Sequence, residues 1–396
     1  MKKLAIITTH PIQYHFPVFQ LLAKQCRLKV FYTWGIAGVD PKYDPDFRKE
    51  IIWDLPFLED YDYELLENIA PDPGSHHGKG IVNPDIIKKI DAFTPDAILV
   101  YGYIYHSHLQ VMRHFKGKIP IWFRGDSTLL NNLPLYKKII KNIYLRWIYN
   151  QVDIAFYVGL NNKAYFKQFG LKEEQLVFAP HAIDNDRFAI HHNAEAAELR
   201  KKLNIPQQEL VFLFAGKLEP NKNPKLLLKE FTSAVEENRN QPEGFISNIR
   251  KAHLLFVGNG VLEDKLKSQV GNLNSQVHFL EFQNQTQMPI VYQACDIFCL
   301  PSMNETWGLA VNEAMAAGKA IIVSDQVGCA IDLVKPGING FIFKLKKSKE
   351  LRELMSYFIK NPRESMMLGE KSREIISSWC FNQQVNTLIR ELNKIR

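Results

Sequence analysis

The stretch that most limits what this 396-residue chain can become runs from Asp296 to Val327. It opens with DIFCL, an apolar run short enough to be one buried strand. A polar loop follows, PSMNET. From about Trp307 the residues GLAVNEAMAAGK read as an alanine-rich helix that Gly318 closes as a C-terminal cap. A second apolar strand, Ala320 to Ser324, comes directly after. Such a strand–loop–helix–strand unit delivers a helix N-terminus to the carboxyl edge of a sheet, where α/β proteins bind ligands. Free N–H groups and the helix dipole favour an anion there, typically phosphate.

Two carboxylates lie on this unit, Glu305 and Glu313. If helix geometry held throughout, they would stand about 12 Å apart along the axis. A glycosidase pair needs about 5 to 10 Å and must face across one bond. Glu305 and Glu313 are better spaced to hold two ends of one long ligand, with a phosphate at the helix start between them. A nucleotide-sugar has that layout: sugar hydroxyls, diphosphate, ribose hydroxyls. The plain alternative is two solvated glutamates.

Glu305 and Glu313, with Trp307-Gly308-Leu309 between them and Ala314-Met315-Ala316 after, resemble the paired-glutamate motif of family 4 retaining glycosyltransferases. The resemblance continues through AAGKAIIVSD and along most of residues 170–350. It implies that Glu305 contacts the donor sugar and Glu313 the donor ribose. Elsewhere in the chain, Gly216-Lys217-Leu218 and then Lys222 follow an apolar strand, Leu210 to Ala215. A glycine at a strand exit permits close approach of a ligand to backbone, and two lysines on one loop can bracket a diphosphate as point charges. The family's usual form has arginine where Lys217 stands, so charge is kept and the bidentate fork is lost. Gly258-Asn259-Gly260 follows the strand His253 to Val257, where the family contacts the nucleotide. Phe282 and Gln283, after the strand Val277 to Leu280, are placed by order alone as neighbours of the base. Trp307, Gly308, Leu309 and Ala310 complete the expected donor site.

The N-terminal half resembles the family weakly. Leu4 to Thr8 reads as a strand, and the loop after it gathers His10, Gln13, Tyr14 and His15 at one strand exit. The glycine-rich turn common there in the family is missing. Ile119 to Phe123 is another strand, and it ends at Arg124-Gly125-Asp126. Related enzymes often carry a histidine at this exit, so that role does not transfer. Residues 34–80 are rich in loop signals, and a segment of that kind is more often functional than not; acceptor binding is expected there. His76-His77 reads as surface loop. Three D-x-D strings, Asp44–Asp46, Asp60–Asp62 and Asp184–Asp186, match the metal pair of a different transferase fold, but scattered over loops they read as chance. No metal is expected. Leu135 to Tyr149, LYKKIIKNIYLRWIY, interleaves cations with aromatics and resembles an interfacial helix; an amphipathic helix covering a sheet is the alternative.

Composition narrows the remaining choices. A net charge of +7 suits anionic ligands or an anionic membrane surface, without the concentrated basic stripe of a nucleic-acid binder. The five cysteines have no metal-type spacing and read as buried, reduced thiols of a cytoplasmic protein. No run of about 20 apolar residues is present to span a membrane.

Together these readings give an α/β chain of GT-B type: two Rossmann-like, doubly wound parallel-sheet domains facing across a cleft. The expected bounds are 1–188, a linker 189–206, a nucleotide-sugar domain 207–378, and a last helix 379–396 returning to the first domain. The resemblance implies a retaining, metal-independent glycosyltransferase. Its partners would be a nucleotide-sugar donor, as substrate rather than cofactor, and a glycan or lipid-linked acceptor of bacterial surface-polysaccharide synthesis. The lysines Lys217 and Lys222 and the carboxylate Glu305 would carry the chemistry. A nucleotide-sugar epimerase or hydrolase on the same scaffold, and a non-catalytic nucleotide-sugar-binding subunit, are the other readings.

Overall fold

A computed structural model describes residues 1–39, 54–130, 134–239 and 251–395 in full, and the backbone alone at 42–44 and 49–51. The chain divides into two compact units. Unit 1 comprises residues 1–41, 55–182 and 380–396. Unit 2 comprises residues 42–54 and 183–379.

Unit 1 is built on β1 (Lys3–Thr8), α1 (Phe16–Ala23), β2 (Arg27–Tyr32), β5 (Tyr63–Leu65), α2 (Ile86–Phe93), β6 (Ala97–Tyr101), α3 (His106–Phe115), β7 (Ile121–Arg124), α4 (Leu135–Tyr149), β8 (Ile154–Tyr157), α5 (Leu160–Gln168) and β9 (Leu176–Phe178). Its sheet has the order β5-β2-β1-β6-β7-β8-β9, with every pairing parallel. Between β2 and β5 the chain forms the antiparallel ladder β3 (Lys42–Asp44) with β4 (Lys49–Ile51).

Unit 2 contains α6 (Asn185–Ala189), α7 (Asn193–Lys202), β10 (Leu210–Ala215), α8 (Pro224–Arg239), β11 (Ala252–Val257), α9 (Glu263–Gln269), β12 (Val277–Leu280), α10 (Met288–Gln293), β13 (Ile297–Leu300), α11 (Leu309–Ala316), β14 (Ala320–Ser324), α12 (Ala330–Leu333), β15 (Gly340–Phe343), α13 (Lys349–Lys360) and α14 (Arg363–Ile376). Its sheet runs β12-β11-β10-β13-β14-β15, again parallel throughout. The last helix, α15 (Phe381–Lys394), belongs to unit 1. Its Val385, Leu388 and Leu392 pack in one cluster with Phe19 and Leu22 of α1.

The strands are nearly continuous apolar runs because helices cover both sheet faces, so alternation has no solvent side to serve. All six residues of β10 and of β11 are buried. Each sheet reverses its strand order once, at β1/β6 in unit 1 and at β10/β13 in unit 2. Those two points are where loops diverge and leave a crevice at the carboxyl edge.

The segment expected as a linker, 189–206, is instead part of unit 2. It holds α7, and Arg200 of that helix is buried. The Arg200 guanidinium donates to the carbonyls of Ala294, Gln207 and Glu209 and pairs with Asp296 at 2.8 Å. A buried cation so fully committed ties the segment to β13's entry. Residues 42–54 also go with unit 2: Asp54 accepts from the Thr286 backbone N–H at 3.1 Å and from its hydroxyl at 2.5 Å. The side chains of Asp44 and Asp46 lie outside the described residues, as do residues 240–244 of the polar stretch after α8.

Candidate functional site

The reversal point of unit 2 gathers most of the expected donor-site residues. The loop after β10 carries Gly216, Lys217 and Lys222, and the loop after β13 carries Glu305. Two backbone-anchored bonds stitch the loops together. Asn221 donates its side-chain amide to the Asn304 carbonyl at 2.7 Å, and its own carbonyl accepts from the Met303 N–H at 2.8 Å. Across this seam the Lys222 ammonium pairs with Glu305 Oε2, and both side chains are only partly exposed. Ser302 Oγ stands 3.5 Å from the same carboxylate oxygen. An ion pair at the rim of a crevice is a ready-made exchange site. A ligand anion can take the lysine, and ligand hydroxyls can take the carboxylate.

Glu305 is not on the helix. Its backbone forms a bridge with Val327, donating to the Gln326 carbonyl at 3.0 Å and accepting from the Gly328 N–H at 2.9 Å. The helical spacing assumed between the two glutamates therefore does not apply. A Cβ on Gly328 would sit 1.8 Å from the Thr306 carbonyl oxygen, which is why glycine stands there. α11 begins after Gly308, whose φ of 101° only glycine adopts without strain, and no side chain caps the helix. The first N–H groups, those of Leu309 and Ala310, therefore face outward from the helix end.

Glu313, one turn further on, is buried and accepts from the Tyr292 hydroxyl at 2.8 Å. Trp307 is also buried. Its indole N–H donates to Asn312 at 3.0 Å and its ring lies 5.4 Å from that of Trp379. Its side chain thus builds the wall behind the loop, which narrows its expected ligand contact to the backbone.

The loops after β10 and β11 lie against each other: Leu218 N–H donates to the Asn259 carbonyl at 2.9 Å. A Cβ on Gly258 would come within 2.3 Å of the Gly216 carbonyl oxygen, and one on Gly260 within 2.6 Å of the Leu218 oxygen. These two glycines serve the contact between loops. Gly216, with φ of 151° and open space beside it, is the one that leaves room for a ligand. Asn259 is committed at both ends of its amide, donating to Glu263 at 3.0 Å and accepting from the Phe282 N–H at 2.9 Å. Gln283 bonds locally, to the carbonyls of Glu281 and Phe282 at 3.0 and 3.3 Å. Asp184, part of a D-x-D string, caps α6 by accepting from the Arg187 N–H at 3.1 Å.

Residues 195–375 match the family model described as glycosyl transferases group 1. That match contains the whole crevice just described. The matched segment covers most of unit 2 and a little under half of the chain. Among relatives of the chain is the N,N'-diacetylbacillosaminyl-diphospho-undecaprenol alpha-1,3-N-acetylgalactosaminyltransferase of Campylobacter jejuni, 29% identical over 222 residues, 55% of this chain and 54% of the relative. Another is the UDP-Gal:alpha-D-GlcNAc-diphosphoundecaprenol alpha-1,3-galactosyltransferase of Escherichia coli, 30% identical over 223 residues, 55% of this chain and 52% of the relative. The chain thus spans about half the length of the curated relatives it matches. Among solved structures, Anabaena HepE with UDP and glucose aligns over 100% of both chains with a TM-score of 0.70 at 19% identity. Thermosynechococcus elongatus sucrose-phosphate synthase gives 0.72 at 16% identity, also over 100% of both chains. The fold is GT-B, with two Rossmann-like parallel-sheet domains.

Outside the matched segment, the reversal point of unit 1 holds a different set. His15, on the loop after β1, packs tilted against the Tyr101 ring at the end of β6, with ring centroids 4.7 Å apart. Arg124, at the end of β7, is buried and donates to the carbonyls of Ala179 and Pro180, each at 2.9 Å. Burial, then the Arg124 charge, then His10 hold His15 neutral, with its pKa lowered to about 3. His181 is lowered well below its usual range by burial, Arg124 and His15. Behind them His108, fully buried, bonds Thr33 Oγ1 at 2.9 Å and is lowered by burial to about 4. His10 bonds Thr9 Oγ1 at 2.9 Å and packs edge-on to Trp34. Tyr14, Gln13 and Asp126 are half-buried.

Sequence reasoning missed Asn221, Ser302, Tyr292 and His181. Asn221 stands inside a loop already singled out, so its place between Pro220 and Lys222 was a usable signal. Tyr292 reaches Glu313 from a neighbouring helix, and no local pattern reveals that.

Proposed function

We propose that the chain transfers a sugar from a nucleoside diphosphate sugar to a hydroxyl of a glycan or lipid-linked acceptor, with retention of anomeric configuration and without a metal. The observation that carries this reading is the Lys222–Glu305 pair at the sheet's reversal point, beside the uncapped start of α11. The same crevice can take a diphosphate on Lys217, Lys222 and the N–H groups of Leu309 and Ala310. Glu305 is then freed to accept sugar hydroxyls.

In this mechanism the bond between the anomeric carbon and the diphosphate oxygen breaks first, and negative charge grows on the phosphate. The two lysines and the helix start stabilise that charge as it develops, so no divalent ion is needed. The acceptor hydroxyl oxygen bonds the anomeric carbon on the face the phosphate is leaving. Its proton passes to the departing phosphate oxygen. Glu305 positions the sugar and forms no covalent intermediate. Uridine as the base is supported by HepE, described with UDP-glucose. A lipid-linked acceptor is supported by the two relatives named for undecaprenol diphosphate glycans. Such an acceptor places the enzyme at a membrane surface.

The test is a thermal-shift titration with UDP, GDP and ADP in the presence of chelator. A nucleotide at about 100 times its Kd adds roughly 2.7 kcal/mol to stability. One nucleotide should stabilise without metal and so identify the base. A shift that appears only when a divalent ion is restored overturns the metal-free mechanism. Release of free sugar from the donor with no acceptor present, at the full rate, would favour a hydrolase.

A further inference from the structure

Unit 1 carries a helix whose apolar stripe points the wrong way for a soluble domain. α4 is anchored by Leu145, Ile148 and Tyr149, which are buried in the unit's core. Its opposite face should then be polar. Instead that face carries Tyr136, Ile140, Ile143 and Trp147, spaced four, three and four residues apart. They lie 61%, 64%, 69% and 44% exposed. The spacing puts all four on one line, about 16 Å long at the helical rise. Leu135, Ile139 and Tyr144 widen it on both sides. Among the described residues only Arg113, over the Trp147 ring, lies against this stripe, and all four side chains stay exposed. Exposed apolar surface that is continuous and ordered marks an interaction site.

The charge around the stripe says what the partner is. α4 holds Lys137, Lys138, Lys141 and Arg146 and no acidic residue. Arg113 of α3 adds a fifth cation over the Trp147 ring, 5.7 Å from its centroid. Beside the helix opens a cavity of about 370 Å³. Its walls are apolar at Leu129, Leu135, Ile139 and Phe169, with Lys138 and Lys141 set into them. The Lys141 ammonium lies 5.0 Å from the Tyr165 ring centroid and 5.7 Å from that of Phe169. Neither Lys138 nor Lys141 has a carboxylate partner among the described residues. An apolar stripe, aromatic residues at its edges, flanking cations and no anion are the features of a helix lying in the plane of an anionic bilayer surface. An acidic protein groove would match the cations but would not call for four bulky apolar side chains in a line on a helix already anchored by its other face.

We propose that α4 docks unit 1 on anionic phospholipid, with Tyr136, Ile140, Ile143 and Trp147 among the upper acyl chains and a lipid phosphate held by Lys138 and Lys141 in the adjoining cavity. The proposal deepens the reading of a lipid-carried acceptor and takes its purpose from it, but binding is measured without turnover.

The experiment is flotation of the full chain with vesicles of mixed phosphatidylglycerol and phosphatidylcholine, beside vesicles of phosphatidylcholine alone. The parent should float with the mixed vesicles only, and salt should release it. The double variant Ile140→Glu/Ile143→Glu should lose at least about ten-fold in binding, with its melting temperature and its UDP-induced shift unchanged. Lys138→Ala/Lys141→Ala should weaken binding to the mixed vesicles and flatten the salt dependence. The idea fails if the parent stays with the soluble fraction at low salt, or if the double glutamate variant floats like the parent. It also fails if the parent sediments as a dimer that the double variant splits, since the stripe would then join two copies of the chain. A missing UDP shift with flotation intact would remove the donor reading and leave the docking surface standing.

Discussion

Two crevices of the same topology sit in this chain, and they are furnished in opposite ways. In unit 2 the reversal point lies between β10 and β13, and its loops present a lysine–glutamate pair at a partly open rim. In unit 1 the corresponding point lies between β1 and β6, and its surroundings hold a buried arginine tied to backbone and histidines held neutral. The first arrangement keeps charge available for a ligand. The second keeps charge out of the imidazoles by burying them beside a fixed cation, so they offer neutral donors and acceptors. On the proposed reading, the donor's diphosphate would go to the first and the acceptor's hydroxyls to the second.

The largest break in that contrast should come from Lys222→Ala. Turnover should fall about 10³-fold, roughly 4 kcal/mol of lost transition-state stabilisation, while circular dichroism stays as in the parent. Unchanged turnover would remove the diphosphate role from unit 2's crevice.

The neutral histidines make unit 1 acid-sensitive. His108 and His15 have folded pKa values of about 4 and about 3, below the ordinary 6.5. The unfolded chain therefore takes up protons first as pH falls. Their contribution is complete above about pH 6.5 and is lost between there and about pH 4, with His15 continuing to about pH 3. For His108 alone the loss by pH 4 is about 3 kcal/mol. Urea melts of the parent and of His108→Asn at the two ends of that range measure it. Equal acid losses in both proteins would show that His108 is not responsible. Among the described residues, unit 2 holds one comparable histidine, His278 at the amino edge of its sheet, lowered to about 4 by burial and His253.

Glycine substitutions should separate the two edges more gently. Gly258→Ala forces a Cβ to within 2.3 Å of a carbonyl oxygen at a φ of 122° and should cost about 2 kcal/mol. Gly125→Ala, on the edge of unit 1, meets only the Phe123 ring at 3.3 Å and should cost under about 1 kcal/mol. Denaturant midpoints compare them. The smallest effect is electrostatic: Arg124→Met should raise the His15 pKa from about 3, because Arg124 is the second cause of its depression after burial. NMR titration of the ring protons would show it, and an unmoved value would leave burial and His10 as the causes.

The two crevices also differ in how far they could be read in advance. In unit 2 the loop of Lys217 and Lys222 and the loop of Glu305 are each contiguous strings behind apolar strands, and the resemblance of 170–350 covers both. In unit 1 the cluster is assembled from residues 15, 101, 124 and 181, which end or follow four different strands. His10, Gln13, Tyr14 and Arg124 could be placed at a carboxyl edge, but no local pattern shows that Arg124 turns inward to the carbonyls of Ala179 and Pro180. Helix α4 is a third case: its composition showed both a membrane face and a core face, and only the burial of Leu145, Ile148 and Tyr149 decided which residues were left outside.

By itself the sequence determined the two parallel sheets and most of their strands and helices, though not β5 or the β3–β4 ladder inside the stretch 34–80 that reads as loop. These follow from apolar runs, glycine positions and charges that are near neighbours along the chain. The tertiary structure alone decided that Glu305 lies off the helix and pairs with Lys222, that Trp307 faces inward, that residues 189–206 are bound into unit 2, and that a stripe of isoleucine and aromatics is left facing outward. The reason is the same each time. Each outcome depends on which residues distant in the chain the packed sheets bring within bonding distance, and that is set by three-dimensional closure, not by spacing along the chain.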